Sequence, residues 1–432
     1  MRTLKSWVIA WCLVVVTAQF CSAAGFAIYE WGARDMALGG ATVGRADDPA
    51  ALSSNPAGIT QLEGVQVTGG ILGIHPVLDV EANGKSETSD EDALYLPPHF
   101  YATWKVNDRY SLGLATFSRF GLGTVFDDDW EGRYNSYEAT MESVSVNPNM
   151  ALKFTDSFSA AFGVEAMYLN FNQKKKINLG AIGQPDGDAD IEADGFGYGF
   201  NMALHYQPCQ YAKVGLSYRS PITMKVTGDA DFSSIPSTAI PVAPGISIPF
   251  DAAGAFKDTS ASGVVTLPDS FAFGVAMYPM DKLSVEVGAI YTLWSKYDEL
   301  KINFGDDVIP VNSNPFNLTD ETTSTKNWDD VWRFNVGVEY AALDWLDLRL
   351  GYVYDNTPVP DDTIDYLLPD SDRQIFSTGL GFHKDNWAVD VNYSYLLFAD
   401  RDIDGRAEDN VYDGEVTNAD CHIAGVSFTY KF

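Results

Sequence analysis

Cysteine is scarce in this chain, and so are positive charge, long apolar runs and catalytic motifs. Four cysteines occur in 432 residues, and only Cys209 and Cys421 lie beyond the extreme N-terminal stretch. A pair so far apart is no disulfide framework. Lys and Arg number 28 against 59 Asp and Glu, giving a net charge of −31. Nucleic acid is therefore disfavoured as a partner, because phosphate binding needs clustered cations. The acidic residues concentrate in loop-like segments and read as solvated surface. No run of 18 apolar residues occurs after the first 23 positions, which excludes helical membrane spans. The five histidines form no HExxH pair, and no Gly-x-Ser-x-Gly elbow is present. Asp400-Arg401-Asp402-Ile403-Asp404-Gly405 opens like an EF-hand loop but reaches Val411 where the bidentate Glu belongs. Asp186-Gly187-Asp188-Ala189-Asp190 is shorter still. No enzyme chemistry, cofactor or dedicated metal is expected, only casual divalent-ion binding by such loops.

The N-terminus carries an export signal. Arg2 and Lys5 precede the 12-residue run Trp7–Ala18, too short to span a bilayer, and Cys21-Ser22-Ala23 supplies a small-residue cleavage site before Ala24. The alternatives, a buried helix or a membrane anchor, fit the flanking residues less well. Cleavage leaves 409 of the 432 residues and takes the net charge from −31 to −33, since Arg2 and Lys5 are lost.

Aromatics at 13% and 37 glycines fit a strand-rich chain. Alternation with period two is clear in Ala424, Val426, Phe428, Tyr430 and Phe432 against Ile423, Gly425, Ser427, Thr429 and Lys431. It recurs in Trp387–Leu397, Leu346–Tyr354 and Leu283–Leu293. Alternation alone also suits a soluble sandwich. Loop length separates the two. Fourteen strands are expected near 65–74, 94–105, 109–120, 138–154, 157–173, 196–207, 211–228, 264–278, 282–304, 331–342, 345–356, 373–384, 387–399 and 420–432. Their connections alternate between tight turns, such as Asn107-Asp108 and Asp385-Asn386, and long segments, such as 229–263. Short periplasmic turns, long outer loops and an even strand count describe an outer-membrane barrel. Gly195-Phe196-Gly197-Tyr198-Gly199 belongs to one of these strands. It places glycines opposite aromatics, and no helix follows to make it a nucleotide fingerprint. Lys174-Lys175-Lys176, at the outer end of a strand, either contacts anionic lipopolysaccharide or simply starts a solvated loop.

A barrel this wide cannot be filled by its own side chains, and residues 24–64 precede the first strand as a candidate plug. Within them, Asp48 is placed to cap a short helix begun by Pro49, Asn55 is pushed out of helix by Pro56, and Gly58 permits a left-handed turn. The fold class is all-β: a 14-stranded antiparallel transmembrane β-barrel (65–432) with a small N-terminal helical plug or hatch (24–64) behind a signal peptide (1–23).

The chain resembles the FadL family of outer-membrane long-chain fatty acid transporters, which includes the TodX-like transporters of aromatic hydrocarbons. The resemblance is carried by Ala24-Gly25-Phe26 and by Asn55-Pro56-Ala57. Ser118-Arg119-Phe120-Gly121-Leu122, Tyr218-Arg219-Ser220, Leu267-Pro268-Asp269, Trp294-Ser295, Asp355–Pro360 and Pro369–Arg373 follow in order. It implies capture of a hydrophobic molecule between outer loops, a site inside the barrel beside the N-terminus, and sideways exit at a kinked third strand. Gly39, Gly40, Gly44 and the Asn55 corner would let the plug bend. Asn55 either holds that corner or reports substrate binding. Candidate substrate contacts are Ala24, Gly25, Phe26 and Ile28, with Arg119, Arg219, Lys326, Arg333 and Arg373 as candidate cations for a carboxylate. Each is also readable as packing or an ordinary lumen charge. Phe120, Gly121 and Gly123 are candidates for the kink, the glycines supporting a bulge that breaks pairing. The expected function is passive uptake of long-chain fatty acids by a monomer. Alternatives are monoaromatic hydrocarbons or alkanes on the same fold, a general porin, a surface adhesin or phage receptor, and, more remotely, a barrel-resident lipase.

Overall fold

The computed structural model describes residues 25–180, 183–235, 239–243, 246–249, 254–311 and 314–432. The signal peptide and Ala24 lie outside these residues. The wall is one closed antiparallel sheet. Its strands are β1 (Val65–Ala82), β2 (Pro98–Lys105), β3 (Tyr110–Phe117 and Gly121–Val125), β4 (Glu138–Thr155), β5 (Phe158–Ile177), β6 (Gly187–Cys209) and β7 (Ala212–Arg219 and Ile222–Ser233). They continue as β8 (Thr259–Leu267 and Ser270–Met280), β9 (Leu283–Thr292 and Glu299–Phe304), β10 (Glu321–Thr325 and Val331–Leu343), β11 (Leu346–Asp355), β12 (Arg373–Lys384), β13 (Trp387–Phe398) and β14 (Gly414–Lys431). β14 pairs with β1 from Gln66↔Lys431 to Ala82↔Gly414, so the sheet has no free edge to leave unpaired in lipid. Among the described residues no helix is long and apolar enough to cross a membrane.

The alternating faces come out as the periodicity requires. Phe162 and Val164 on β5, Met202 and Leu204 on β6, and Leu348 and Leu350 on β11 point outward and are exposed. Ala161, Glu165, Ala203 and Arg349, of opposite parity, are buried in the lumen. The fourteen expected strands are present, but several are longer than alternation indicates. β6 starts at Gly187, β1 continues to Ala82 and β14 starts at Gly414. The β6 extension is polar, pairing Asp188 with Lys176 and Asp190 with Lys174. Beyond the bilayer both faces of a strand are wet, so the apolar alternation fades while the backbone ladder continues. The glycine side of Gly195, Gly197 and Gly199 faces the lumen, where the Lys225 backbone of β7 occupies the space a Cβ would take at Gly195, and Ile222 and Met224 side chains occupy it at Gly197.

Residues 25–64 enter the lumen. α1 (Ala33–Ala37) packs on β12, β13 and β14; α2 (Ala51–Ser54) packs on β3; a 3-10 turn (Pro56–Gln61) rests on β4, β5 and β6. Two local expectations are corrected here. Asp48 does not cap α2, which has no side-chain cap, because the carboxylate instead meets Arg34 at 3.0 Å. Gly58 is not left-handed. It is required because Ala46 would lie 2.3 Å from any Cβ there. Gly39 and Gly40 do take positive φ, 63° and 74°, and turn the chain after α1.

Candidate functional site

Asn55 has no solvent exposure and makes the plug corner with all of its amide. Its Oδ1 accepts from Ala57 N at 3.1 Å, and its Nδ2 donates to Val43 O at 2.8 Å and to Leu204 O on β6 at 3.1 Å. The motif therefore ties three pieces together: the 3-10 turn begun by Pro56 and Ala57, the preceding plug loop, and the wall. A salt-bridge network anchors the same segment. Glu339 on β10 meets Arg34 and Arg45 of the plug, each at 3.1 Å, and Arg349 of β11 at 2.6 Å. Glu286 on β9 accepts from the backbone of Gly44 and Arg45 at 2.6 and 2.9 Å. Asp35 of α1 is buried, accepts Thr42 Oγ1, and leaves Oδ2 without a partner. Burial pushes its carboxyl up to about 7.

The third strand breaks where expected. Phe117 ends the lower half and Gly121 begins the upper, and β4 pairs with both halves. The free backbone at the break is satisfied in two ways. Ser143 of β4 accepts from Phe120 N at 3.1 Å and donates to Phe120 O at 2.6 Å. The start of the plug then lies alongside: Ile28 N donates to Arg119 O at 2.7 Å, Gly121 N donates to Phe26 O at 3.0 Å, and Ala27 bridges Phe120. Residues 26–28 thus act as a short inner strand across the kink. Gly121 and Gly123 are small because Ile28 and Tyr95 side chains occupy their Cβ positions; the extra residue of β3 falls just before Gly121, where the register passes from Phe117↔Ser145 to Gly121↔Glu142.

Gly25, at φ 60°, donates to Asp370 Oδ2 at 3.0 Å. Phe26 inserts among Phe120, Trp294, Tyr297 and Trp328, with ring centroids 4.7 to 6.0 Å away. The indole N–H groups of Trp294 and Trp328 have no partner among the described residues. Two cavities flank Phe26. The lateral one, about 370 Å³, runs from Gly25, Ile28 and Arg373 in the lumen to Leu94, Leu96 and Val144, which are exposed on the outer surface. The inner one, about 40 Å³, is enclosed by apolar side chains including Phe171, Val226, Tyr297 and Trp328, with Lys326 and Asp365 at its edge.

The candidate cations do not converge on one point. Arg119 and Arg219 share Glu165, at 3.2 and 3.1 Å. Arg333 and Arg373 share Asp355, the latter at 3.2 Å. Lys326 pairs with Asp365. Arg373 lines the lateral cavity and Lys326 the inner one, whereas Arg333 stacks its guanidinium on Tyr29 and Arg219 binds the Leu52 and Ser53 carbonyls of the plug. At the rim, Lys174 pairs with Glu138, and Lys176 with Asp128 and Asp188. Among the described residues no His, Cys, Asp and Glu group is arranged for a metal. Sequence reading did not find Ser143, Tyr95 or the carboxylates Glu165 and Asp365. Only position in the lumen distinguishes these from dozens of similar residues. Trp294 stood in the family-like pair Trp294-Ser295 and Asp355 in the segment Asp355–Pro360; Trp328 and Tyr297 carried no signal.

The chain is similar over most of its length to proteins of known name. The long-chain fatty acid transport protein of Escherichia coli K12 is 26% identical over 426 residues, covering 89% of this chain and 90% of that one. Outer membrane protein P1 of Haemophilus influenzae is 24% identical over 328 residues, covering 69% and 65%. Among solved structures, a FadL homologue of Pseudomonas aeruginosa superposes with a TM-score of 0.81 at 19% identity, covering 95% of this chain and all of the other. The toluene transporter TodX of Pseudomonas putida gives 0.72 at 16% identity, covering 94% and 99%. The family model for outer membrane protein transport proteins (OMPP1/FadL/TodX) matches residues 14–432. The chain belongs to that family and is an outer-membrane β-barrel transporter of hydrophobic compounds.

Proposed function

We propose that this barrel takes up long-chain fatty acids through the inner cavity and releases them sideways at the β3 break, once residues 1–23 have directed its export and been cleaved. The carrying observation is the lateral cavity, which joins the plug's first residues to apolar side chains on the outer face through that break. Its 370 Å³ falls in the usual range for a small-molecule site. Sideways release keeps an acyl chain out of water, where each exposed CH₂ costs about 0.8 kcal/mol. The guanidinium of Arg373 supports an anionic cargo: it borders the cavity, where it meets Asp355 and lies within electrostatic reach of Asp370 and Glu30. The relative in Escherichia coli is named for fatty acid transport.

A second reading, neutral hydrocarbons, has its own support. Lys326 at the edge of the inner cavity is matched by Asp365, and the remaining lining is chiefly apolar. Uptake of labelled oleate and labelled toluene, in cells lacking their own transporter and expressing this chain, separates the two. Oleate uptake that falls several-fold in Arg373→Gln supports the first reading. Toluene uptake without oleate uptake replaces it with the second. Uptake of neither, by a folded barrel, refutes both.

A further inference from the structure

We propose that Leu122, Met141 and Leu368, closing around Phe26, form the partition between the inner and lateral cavities, with Met141 as the movable leaf that sets the cross-section of cargo able to pass. The proposal rests on the transport route above. Among the described residues, four side chains border both cavities: Phe26, Leu122, Met141 and Leu368. They come from four separate elements. Leu122 and Met141 are direct cross-strand partners on β3 and β4. Leu368 lies in the outer connection from β11 to β12, held by its bridge to Asp365, whose carboxylate is tied to Lys326. Phe26 comes from the plug.

These four do not have equal freedom. Phe26 is fixed on every side: its carbonyl accepts from Gly121, the residues flanking it are held by Asp370 and Phe120, and its ring meets four aromatic rings. Moving it unzips the inner strand from the kink. Met141 is unbranched, with three rotatable bonds ending in a thioether, and adapts its shape at little cost. It is buried in the wall between the two spaces, opposite Leu122. The inner cavity, at about 40 Å³, has room for a few water molecules but not for an acyl chain, so entry of such a cargo already requires side chains around it to swing aside. Rotation of Met141 joins that space to the 370 Å³ beyond it with no backbone hydrogen bond broken.

Two measurements on the full chain test this. The first compares Met141→Trp and Met141→Ala for uptake of labelled oleate and of a wide-headed pyrenyl fatty acid, alongside equilibrium binding of a fluorescent fatty acid to the purified barrel. Met141→Trp is expected to lower oleate uptake about tenfold, well beyond any loss of binding. Met141→Ala is expected to raise pyrenyl fatty acid uptake at least fivefold relative to oleate. Unchanged uptake in both variants, or uptake and binding falling together, overturns the proposal. The second is independent of cargo. With the native cysteines replaced, Val226→Cys in the inner cavity is exposed to a maleimide confined to the lipid phase. Adding Met141→Ala, or Leu368→Ala on the opposite side, is expected to speed labelling at least fivefold; an unchanged rate overturns the partition. A wild-type barrel that takes up neither oleate nor toluene refutes the transport reading, while the labelling result still decides the partition.

Discussion

Asn55 and Asp35 show how single side chains hold the plug. Asn55→Ala removes one acceptor and two donors from a site with no solvent exposure, leaving the Val43 carbonyl and the Ala57 amide without these partners and cutting the tie to Leu204 of the wall. Each orphaned buried group costs about 1–3 kcal/mol. The barrel is expected to assemble normally, with oleate uptake down several-fold and faster amide exchange across residues 41–61; unchanged uptake would remove Asn55 from the route. Asp35 behaves differently. Its carboxyl is raised to about 7, first by burial, while Thr42 opposes the shift. The native plug therefore binds a proton that the unfolded segment releases near pH 4, and its stability falls as pH rises from about 4 to 7, by up to about 4 kcal/mol. Asp35→Asn is expected to flatten that dependence: protection of the amides of residues 33–37, measured relative to their intrinsic exchange rates, should fall between pH 5 and 7.5 in the wild type and stay level in the variant. Proximity to Pro56 marked Asn55 as a corner, but nothing local marked Asp35, whose shift comes from walls contributed by distant strands.

At the scale of elements, the β3 break is the feature on which the route depends. A break in a membrane strand leaves backbone groups that lipid cannot satisfy. Here Ser143 and residues 26–28 satisfy them, so the opening is braced by a hydroxyl and by an inner strand. Ser143→Ala is expected to leave Phe120 N–H and C=O without that partner and to increase hydrogen exchange at 117–123, with barrel assembly intact. Gly123→Val places side-chain atoms where the Tyr95 ring lies, 2.0 Å from the Cβ position. Displacing Tyr95 into the lateral cavity should reduce uptake at least threefold; normal uptake would show that cargo does not pass this edge. The position of the break was legible in Ser118–Gly123. Its bracing was not, because Ser143 is one of many strand serines until β4 is registered against β3.

The whole molecule is a closed wall with a tethered plug. Glu339 joins Arg34 and Arg45 of the plug to Arg349 of the wall, and Arg349 continues to Asp390. Removing the shared carboxylate leaves three guanidiniums close together with fewer counter-charges. Glu339→Ala is expected to loosen the plug and give steady ion conductance in planar bilayers, and the wild type is expected to give none. A silent variant would place the anchoring elsewhere, on Glu286 and its bonds to Gly44 and Arg45. Period-two alternation and the short and long connections determined by themselves that this chain is a fourteen-stranded outer-membrane barrel, with the leading segment at 24–64 as its expected plug. Those signals are local, since each strand must present apolar atoms to lipid residue by residue. The sequence alone did not determine which carboxylate neutralises which arginine, why Gly58, Gly121 and Gly123 are small, or which side chains divide one cavity from the other. Those depend on atoms brought together across hundreds of residues when the sheet closes, and only the tertiary structure decided them.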